Sequence, residues 1–470
     1  MTCATPLVPS ADHQPLAWLT QSLPGLAVSG PGLAVSRAQF LAHVLRLAAS
    51  LPSAKHVINL CENRYLFLVA TWASIARGQI TLLPPNRNAA TQEDLASRYA
   101  DCLVVHDGVE QDLSSALPSF SLNALDWSIS ECDQLSPQIA PEQLAIISFT
   151  SGSTGQSRPN LKTWRTLRES SLINARYMLP DDDRVHYQLA TVPGQHMWGL
   201  ETSVLLAVFA NAALVDSKPL YPADVLSSLA QLPEPRNLIT TPFHLRALLQ
   251  SLAAEHKQNA NNKSPKVAVT LCATAPLDAA LAQQQEQVTG GELREVYGCS
   301  EVGSMAVRRT AQTQLWQRFE GIQFTPQADG RTQASTAYLP APVFLDDLIE
   351  VHSEFEFSLQ GRASDQIKIA GKRGSLQAVN AVLNRFPGLQ DGTVFFPQNQ
   401  SCAVPRLAAV VVLNEGVTKT ELRDHLRAYL DAAFVPRPIY TVAALPREAN
   451  GKLPKKSLLA LYDSLKRKSS

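Results

Sequence analysis

The stretch Leu144-Ala-Ile-Ile-Ser-Phe-Thr-Ser-Gly-Ser-Thr-Gly-Gln-Ser-Arg158 decides how this chain is read. Leu144 to Phe149 is a short, nearly continuous apolar run, the pattern of a strand buried on both faces of a sheet. The run then breaks into Thr150, Ser151, Gly152, Ser153, Thr154 and Gly155, followed by Gln156, Ser157 and Arg158. Glycines let backbone N–H groups close on an anion, and hydroxyls add donors with little bulk. A buried strand feeding such a loop predicts a phosphate-sized turn. Read alone, a Ser/Gly-rich run is more often a flexible loop. It is not a Walker loop, because G-x-x-x-x-G-K-[ST] is absent.

Working outward, residues 38–50, 64–77 and 163–179 carry apolar positions at helical spacing, and Val267–Leu271 reads as a second buried strand. This alternation predicts an α/β fold with a largely parallel sheet and helices on its faces. The final 110 or so residues read as separate. Ile367–Gly371 is strand-like, and Leu376, Val379, Val382, Leu383 and Phe386 share a helical face closed by Pro387-Gly388. Leu407–Leu413 and Ile439–Leu445 are strand-like, and Thr418 with Glu421 makes a capping box. The expected division is 1–360, a large region of α/β sublobes, and 361–470, a small α+β domain. Pro-Gly-Leu-Ala-Val-Ser occurs at 24–29 and again at 31–36, which reads as a duplicated surface loop.

The chain has 470 residues, 41 Lys+Arg against 41 Asp+Glu, and no net charge. That balance argues against bulk capture of nucleic acid or anionic lipid. The longest apolar stretch, Val204–Val215, is too short to span a membrane, and the N-terminus lacks the pattern of a signal peptide. Seven scattered cysteines without a CxxC pair fit reduced thiols and a cytoplasmic setting. No HExxH is present, so a structural zinc site is not expected.

Downstream of the 150–158 loop come Val296-Tyr297-Gly298-Cys299-Ser300-Glu301, then Gly361-Arg362, then Asn450-Gly451-Lys452. In this order they resemble the adenylate-forming superfamily: acyl-CoA synthetases, aryl-acid ligases, luciferases and nonribosomal peptide synthetase adenylation domains. The resemblance runs from about residue 40 to 460. It implies the adenylate-forming fold, ATP and Mg2+ as cofactors, and a C-terminal domain that moves between two half-reactions.

The resemblance also implies roles. Thr150, Ser151, Gly152, Ser153, Thr154 and Gly155 match the loop that holds the ATP phosphates, with Arg158 at its usual lysine. Ser157 and Pro159 depart from the usual Pro and Gly. Tyr297 matches the aromatic residue beside adenine, Ser300 a position near the α-phosphate, and Glu301 the Mg2+-associated carboxylate. Ala273-Thr274-Ala275-Pro276 stands at a Gly-Gly-Ala-Pro turn lining the adenine pocket. Asp347, with Asp346 as an alternative, resembles the ribose-binding carboxylate, and Arg362 a second ribose contact. Ser364 stands at the hinge, where Asp is usual, and Gly371 at the thiol tunnel. Lys452 matches the adenylation lysine, whose compact ammonium bridges carboxylate and α-phosphate.

Thr191-Val-Pro-Gly-Gln-His-Met-Trp-Gly-Leu200 falls where the family builds its acid pocket. His196 matches a gate for the carboxylate. Gly199 stands where amino-acid-activating members place an aspartate, which disfavours an α-amino acid. Flat, apolar neighbours suit an aryl ring. The stretch resembles ligases of bacterial aryl-polyene and xanthomonadin pigment pathways. It implies a small aromatic, hydroxybenzoate- or coumarate-like acid as substrate and an acyl carrier protein as partner. CoA with a small or medium acid is the alternative, and a non-catalytic nucleotide-binding relative is the third reading.

Overall fold

The computed structural model describes residues 3–10, 12–108, 113–128, 135–150, 158–258, 264–328, 331–362, 366–369, 372–397, 406–448 and 451–469. Ser151 to Ser157, expected to hold phosphates, Ser364, expected at a hinge, and Gly371, expected at a thiol tunnel, lie outside them.

Leu144–Thr150 is a strand, as its apolar run predicts, in a six-stranded sheet. It runs parallel to Ile80–Leu83, followed by His56–Asn59, Cys102–His106 and Ser119–Ser121. On its other side Arg158–Thr163 pairs antiparallel, with Arg158 opposite Thr150. Thr150 and Arg158 therefore belong to neighbouring, hydrogen-bonded strands.

A second sheet has eleven strands. Its middle is parallel: Glu292–Cys299, Val269–Cys272, Arg236–Thr240, His186–Ala190, Ala212–Val215 and Pro15–Leu19. Antiparallel strands flank it. Gly303–Arg308, Trp316–Arg318, Glu356–Arg362 and Asp347–Val351 extend one side. Leu33–Ser36 closes the other against Pro15–Leu19. The second Pro-Gly-Leu-Ala-Val-Ser copy is thus an edge strand and not a surface loop. Val35 is buried, and Ser36 caps the next helix by a reciprocal bond with Gln39.

Between the sheets lie helices Arg37–Ser50 and Arg64–Ala76. The second is buried on nearly every face, as expected of a helix apolar all round. Its first residue, Arg64, donates to the carbonyls of Ala190 and Val192 at 3.2 and 3.0 Å. That bond ties this helix to the end of a strand in the larger sheet. Val204–Val215 is core, as expected: helical to Phe209, then a strand from Ala212.

His43, on the first helix, is 1% exposed. Its Nε2 faces the Trp127 carbonyl at 3.0 Å and its Nδ1 the Tyr65 hydroxyl at 2.6 Å. A carbonyl only accepts, so Nε2 carries the proton and Nδ1 accepts from Tyr65. Burial pushes the imidazole pKa down to about 4. The unfolded chain therefore binds this proton first as pH falls. Stability is whole above about 6.5 and is lost from there down to about 4. At pH 5 the loss from His43 alone is about 2 kcal/mol. Urea unfolding at pH 7.5 and 5.0 should show His43→Gln losing less stability than the wild type by about that amount. Equal losses would refute this account.

From residue 367 onward the chain has its own apolar clusters, one around Val379, Leu383, Val411 and Leu422, another around Phe395, Val410 and Tyr462. A three-stranded sheet of Leu389–Phe395, Ala408–Leu413 and Ile439–Thr441 separates them. Helix Leu376–Asn384 packs on it, and helix Lys419–Tyr429 begins with the expected Thr418–Glu421 capping box. Contacts with the larger region include Arg246 donating to the Asn384 carbonyl at 3.3 Å, and Arg385 with Asp278 at 3.7 Å. Among the described residues no helix is long and apolar enough to cross a membrane.

Candidate active site

A cavity of about 540 Å3 opens at the C-terminal ends of parallel strands from both large sheets. Leu83 and Phe149 come from the smaller sheet, and Val192, Ala273 and Gly298 from the larger. This is where open α/β sheets hold ligands, since loops diverge there. Lys452 and Glu448, from the C-terminal region, close the cavity's rim.

Lys452 reaches the rim through a tight turn. The Glu448 amide donates to the Lys452 carbonyl, and the Gly451 amide to the Glu448 carbonyl, both at 2.8 Å. Gly451 has φ +78, and an added Cβ would stand 2.9 Å from Thr241 Oγ1. A glycine is required there both for backbone shape and for close approach to the large region. Arg447 holds the turn. It grips Asp391 with two hydrogen bonds of 2.7 and 2.8 Å, donates to the Gly451 carbonyl at 2.9 Å, and lies over the Phe243 ring.

Glu301 and Ser300 sit in the turn between strands Glu292–Cys299 and Gly303–Arg308, and both line the cavity. The turn is fixed from beneath by Lys162, which is 1% exposed and donates from Nζ to the Glu301 carbonyl at 2.8 Å. Arg158 and Thr274 also line the cavity, as do Asp346 and Asp347. Thr274 holds φ +80, a conformation costly for a β-branched residue. Thr274 thus holds a glycine-like backbone, and strain of this sort collects at ligand sites.

Tyr297 packs on Trp316 and Phe357, and its hydroxyl donates to Asp347 Oδ2 at 3.0 Å. Its ring is buried in the core, and the Asp347 bond links it to a cavity-lining residue. That bond favours Asp347 over the exposed Asp346 as the oriented carboxylate. Asp347 stands opposite Arg362 in the sheet register.

His196, Met197, Trp198 and Gly199 form one wall. Burial, with the charges of Lys452, Lys218 and Arg87, pushes the His196 pKa down to about 4. His196 is therefore neutral at pH 7. Burial also drives the cavity thiol of Cys299 up to about 12, so it is no nucleophile at neutral pH.

Residues 32–330 match the AMP-binding enzyme family, and residues 378–452 match the AMP-binding enzyme C-terminal domain. This chain belongs to the AMP-binding enzyme family. It is an AMP-forming ligase with the fold of the adenylate-forming enzymes. A 4-coumarate–CoA ligase of Rhodobacter capsulatus is 28% identical to this AMP-binding enzyme over 310 residues, or 64% of this chain and 73% of that protein. The ATP-bound MatB of Rhodopseudomonas palustris shares its fold at a TM-score of 0.77 and 18% identity, over 96% of this chain and 97% of that one. An anthranilate CoA ligase solved with anthranoyl-AMP does so at 0.76 and 15% identity, over 92% of each.

Two buried charges of this AMP-binding enzyme escaped the sequence reading. Lys162 stands alone in a strand of mostly polar residues, with no motif around it. Glu201 lies two residues past Gly199, where no carboxylate was found. It is 3% exposed, lines the cavity, and accepts from the Ser304 amide at 3.0 Å and hydroxyl at 2.7 Å. The signal available was a lone acidic residue in the apolar helix 197–209.

Proposed function

We propose that this enzyme adenylates an aromatic, hydroxybenzoate- or coumarate-like acid and passes the acyl group to a phosphopantetheine thiol. An acyl carrier protein is the acceptor we favour, with CoA, the acceptor of the coumarate relative, as the second. The observation that carries the reading is Lys452 on the rim of the cavity lined by Arg158, Glu301, Asp347 and Trp198. A neutral imidazole and an indole beside a cation suit a flat acid whose carboxylate faces Lys452. Retention of Lys452 and Glu301 in one cavity speaks against a non-catalytic scaffold.

In the first half-reaction a carboxylate oxygen attacks the ATP α-phosphorus, the bond to the β-phosphate oxygen breaks, and pyrophosphate leaves. We assign Lys452 to the entering carboxylate and α-phosphate, and Arg158 with the Thr150–Gly155 loop to the departing phosphates. Asp347 and Arg362 would hold the ribose, Tyr297 would hold Asp347, and Thr274 with its turn would border adenine. His196 would line the carboxylate's path. Glu301 is the Mg2+ ligand in this scheme, with Ser300 beside the α-phosphate. One carboxylate fits that ion, which takes few protein ligands and completes its shell with phosphate oxygens and water. When bound, it neutralises charge on the phosphates. In the second half-reaction the thiol sulfur attacks the acyl carbon, the thiol proton is lost and AMP leaves. For this step 361–470 would turn about Ser364 against 1–360, withdrawing Lys452 and bringing in Gly371. The separate apolar clusters beyond residue 367 support that division.

Acid-dependent ATP–pyrophosphate exchange over benzoates, cinnamates, fatty acids and amino acids tests the reading. Exchange is expected with aryl acids above the others. No exchange with any carboxylate would sink it. Transfer assays with a carrier protein and with free CoA then decide the acceptor.

A further inference from the structure

Glu201 is the only ionisable residue in the helical stretch 197–209. The stretch is α-helical at Met197–Leu200, widens into a π turn at Glu201–Leu205 and is α-helical again at Leu206–Phe209. Such turns are rare and collect at functional sites. Trp198 lies just before it, with its indole N–H on the Thr240 carbonyl at 3.3 Å. Both Trp198 and Glu201 line the cavity.

The two carboxylate oxygens of Glu201 have different surroundings. Oε2 accepts both hydrogen bonds from Ser304. Among the described residues Oε1 accepts none. It lies beside Gly303, where an added Cβ would stand 2.2 Å away and where φ is +101. Residue 303 thus has no side chain to displace Oε1, and both Glu201 and Gly303 line the cavity. A structural tie between helix and hairpin needs only Oε2. An acceptor oxygen on the cavity wall without a protein donor can take one from a ligand.

The charge of the donor follows from Lys162. This buried ammonium already offsets Glu201, and the two act on each other electrostatically. An incoming ammonium at Glu201 would leave this buried pair with an excess positive charge. A neutral donor would not. We propose that Glu201 Oε1 is the specificity-determining acceptor for a phenolic hydroxyl on the ring of the acid substrate. This rests on the aryl-acid reading above.

The test is kcat/KM for ATP–pyrophosphate exchange with matched acids: benzoate, hydroxybenzoates and their methoxy ethers, and cinnamate, coumarate and methoxycinnamate. The wild type should favour at least one hydroxy acid over both its unsubstituted and its methoxy partner by about tenfold or more. Glu201→Gln can keep its carbonyl on Ser304 and turn its NH2 group to the cavity. It should lose the hydroxy preference and gain on the methoxy acid, which accepts but cannot donate. A merely structural glutamate would lower all rates together and leave the ratios alone. Equal wild-type rates across a matched set, or ratios unchanged in Glu201→Gln, overturn the proposal and leave the aryl-acid reading standing. Exchange with fatty acids alone overturns both. If Glu201→Gln fails to fold, the wild-type ratios decide.

Discussion

Lys452→Ala is expected to lower ATP–pyrophosphate exchange by about a hundredfold or more. Removing one preorganised charge from a developing oxyanion site typically costs on this scale. The turn around Lys452 is built by backbone bonds and by Arg447 on Asp391, none of which uses the lysine side chain. Lys452 is itself exposed. Its specificity for one half-reaction gives the sharper readout. Thiolysis of a chemically made acyl-adenylate should proceed at nearly the wild-type rate, because Lys452 acts only while the carboxylate attacks. A variant slowed equally in both half-reactions would remove the lysine from the role assigned here. Lys452→Arg keeps charge but spreads it over a planar fork, and should recover only part of the loss.

Glu301→Ala should cost exchange a similar factor, with a different signature. The Glu301 backbone is held by Lys162, so truncating the exposed side chain leaves the turn in place. What goes is the carboxylate proposed to hold Mg2+. Half-maximal exchange should then need several-fold more Mg2+, and added metal should restore part of the rate. A rate that falls with no change in metal dependence would assign Glu301 another task. An unchanged rate would take it out of the site.

Much of this was legible in the sequence because the signals are local. The run 144–149 is apolar at every position but one, so only a buried strand suits it. Thr418 and Glu421 have the spacing at which each caps the other. Gly298 to Glu301 and Lys452 belong to two short motifs, and these residues line one cavity. What escaped depends on distant partners. Val35 and Ser36 repeat a loop sequence, yet Pro15–Leu19 supplies the neighbour that makes their copy a strand. Tyr297 also packs on Trp316 and Phe357 and donates to Asp347, contacts that its motif does not announce. Glu201 and Lys162 look like ordinary surface charges until folding brings them together. No spacing rule links positions 162, 201 and 304.

The widened turn at Glu201–Leu205 has a consequence for tolerated length changes. Each residue of an α-helix turns the chain by about 100° and advances it about 1.5 Å. Trp198 before the turn faces the cavity, while Leu206 and Val208 after it are locked in the core. Deleting one residue inside the turn would regularise the helix, yet it would swing the indole away from the cavity by roughly a quarter of a revolution. The backbone irregularity is thus a phase adjustment. It lets one continuous segment satisfy two environments whose angular demands no uninterrupted α-helix of this sequence could meet.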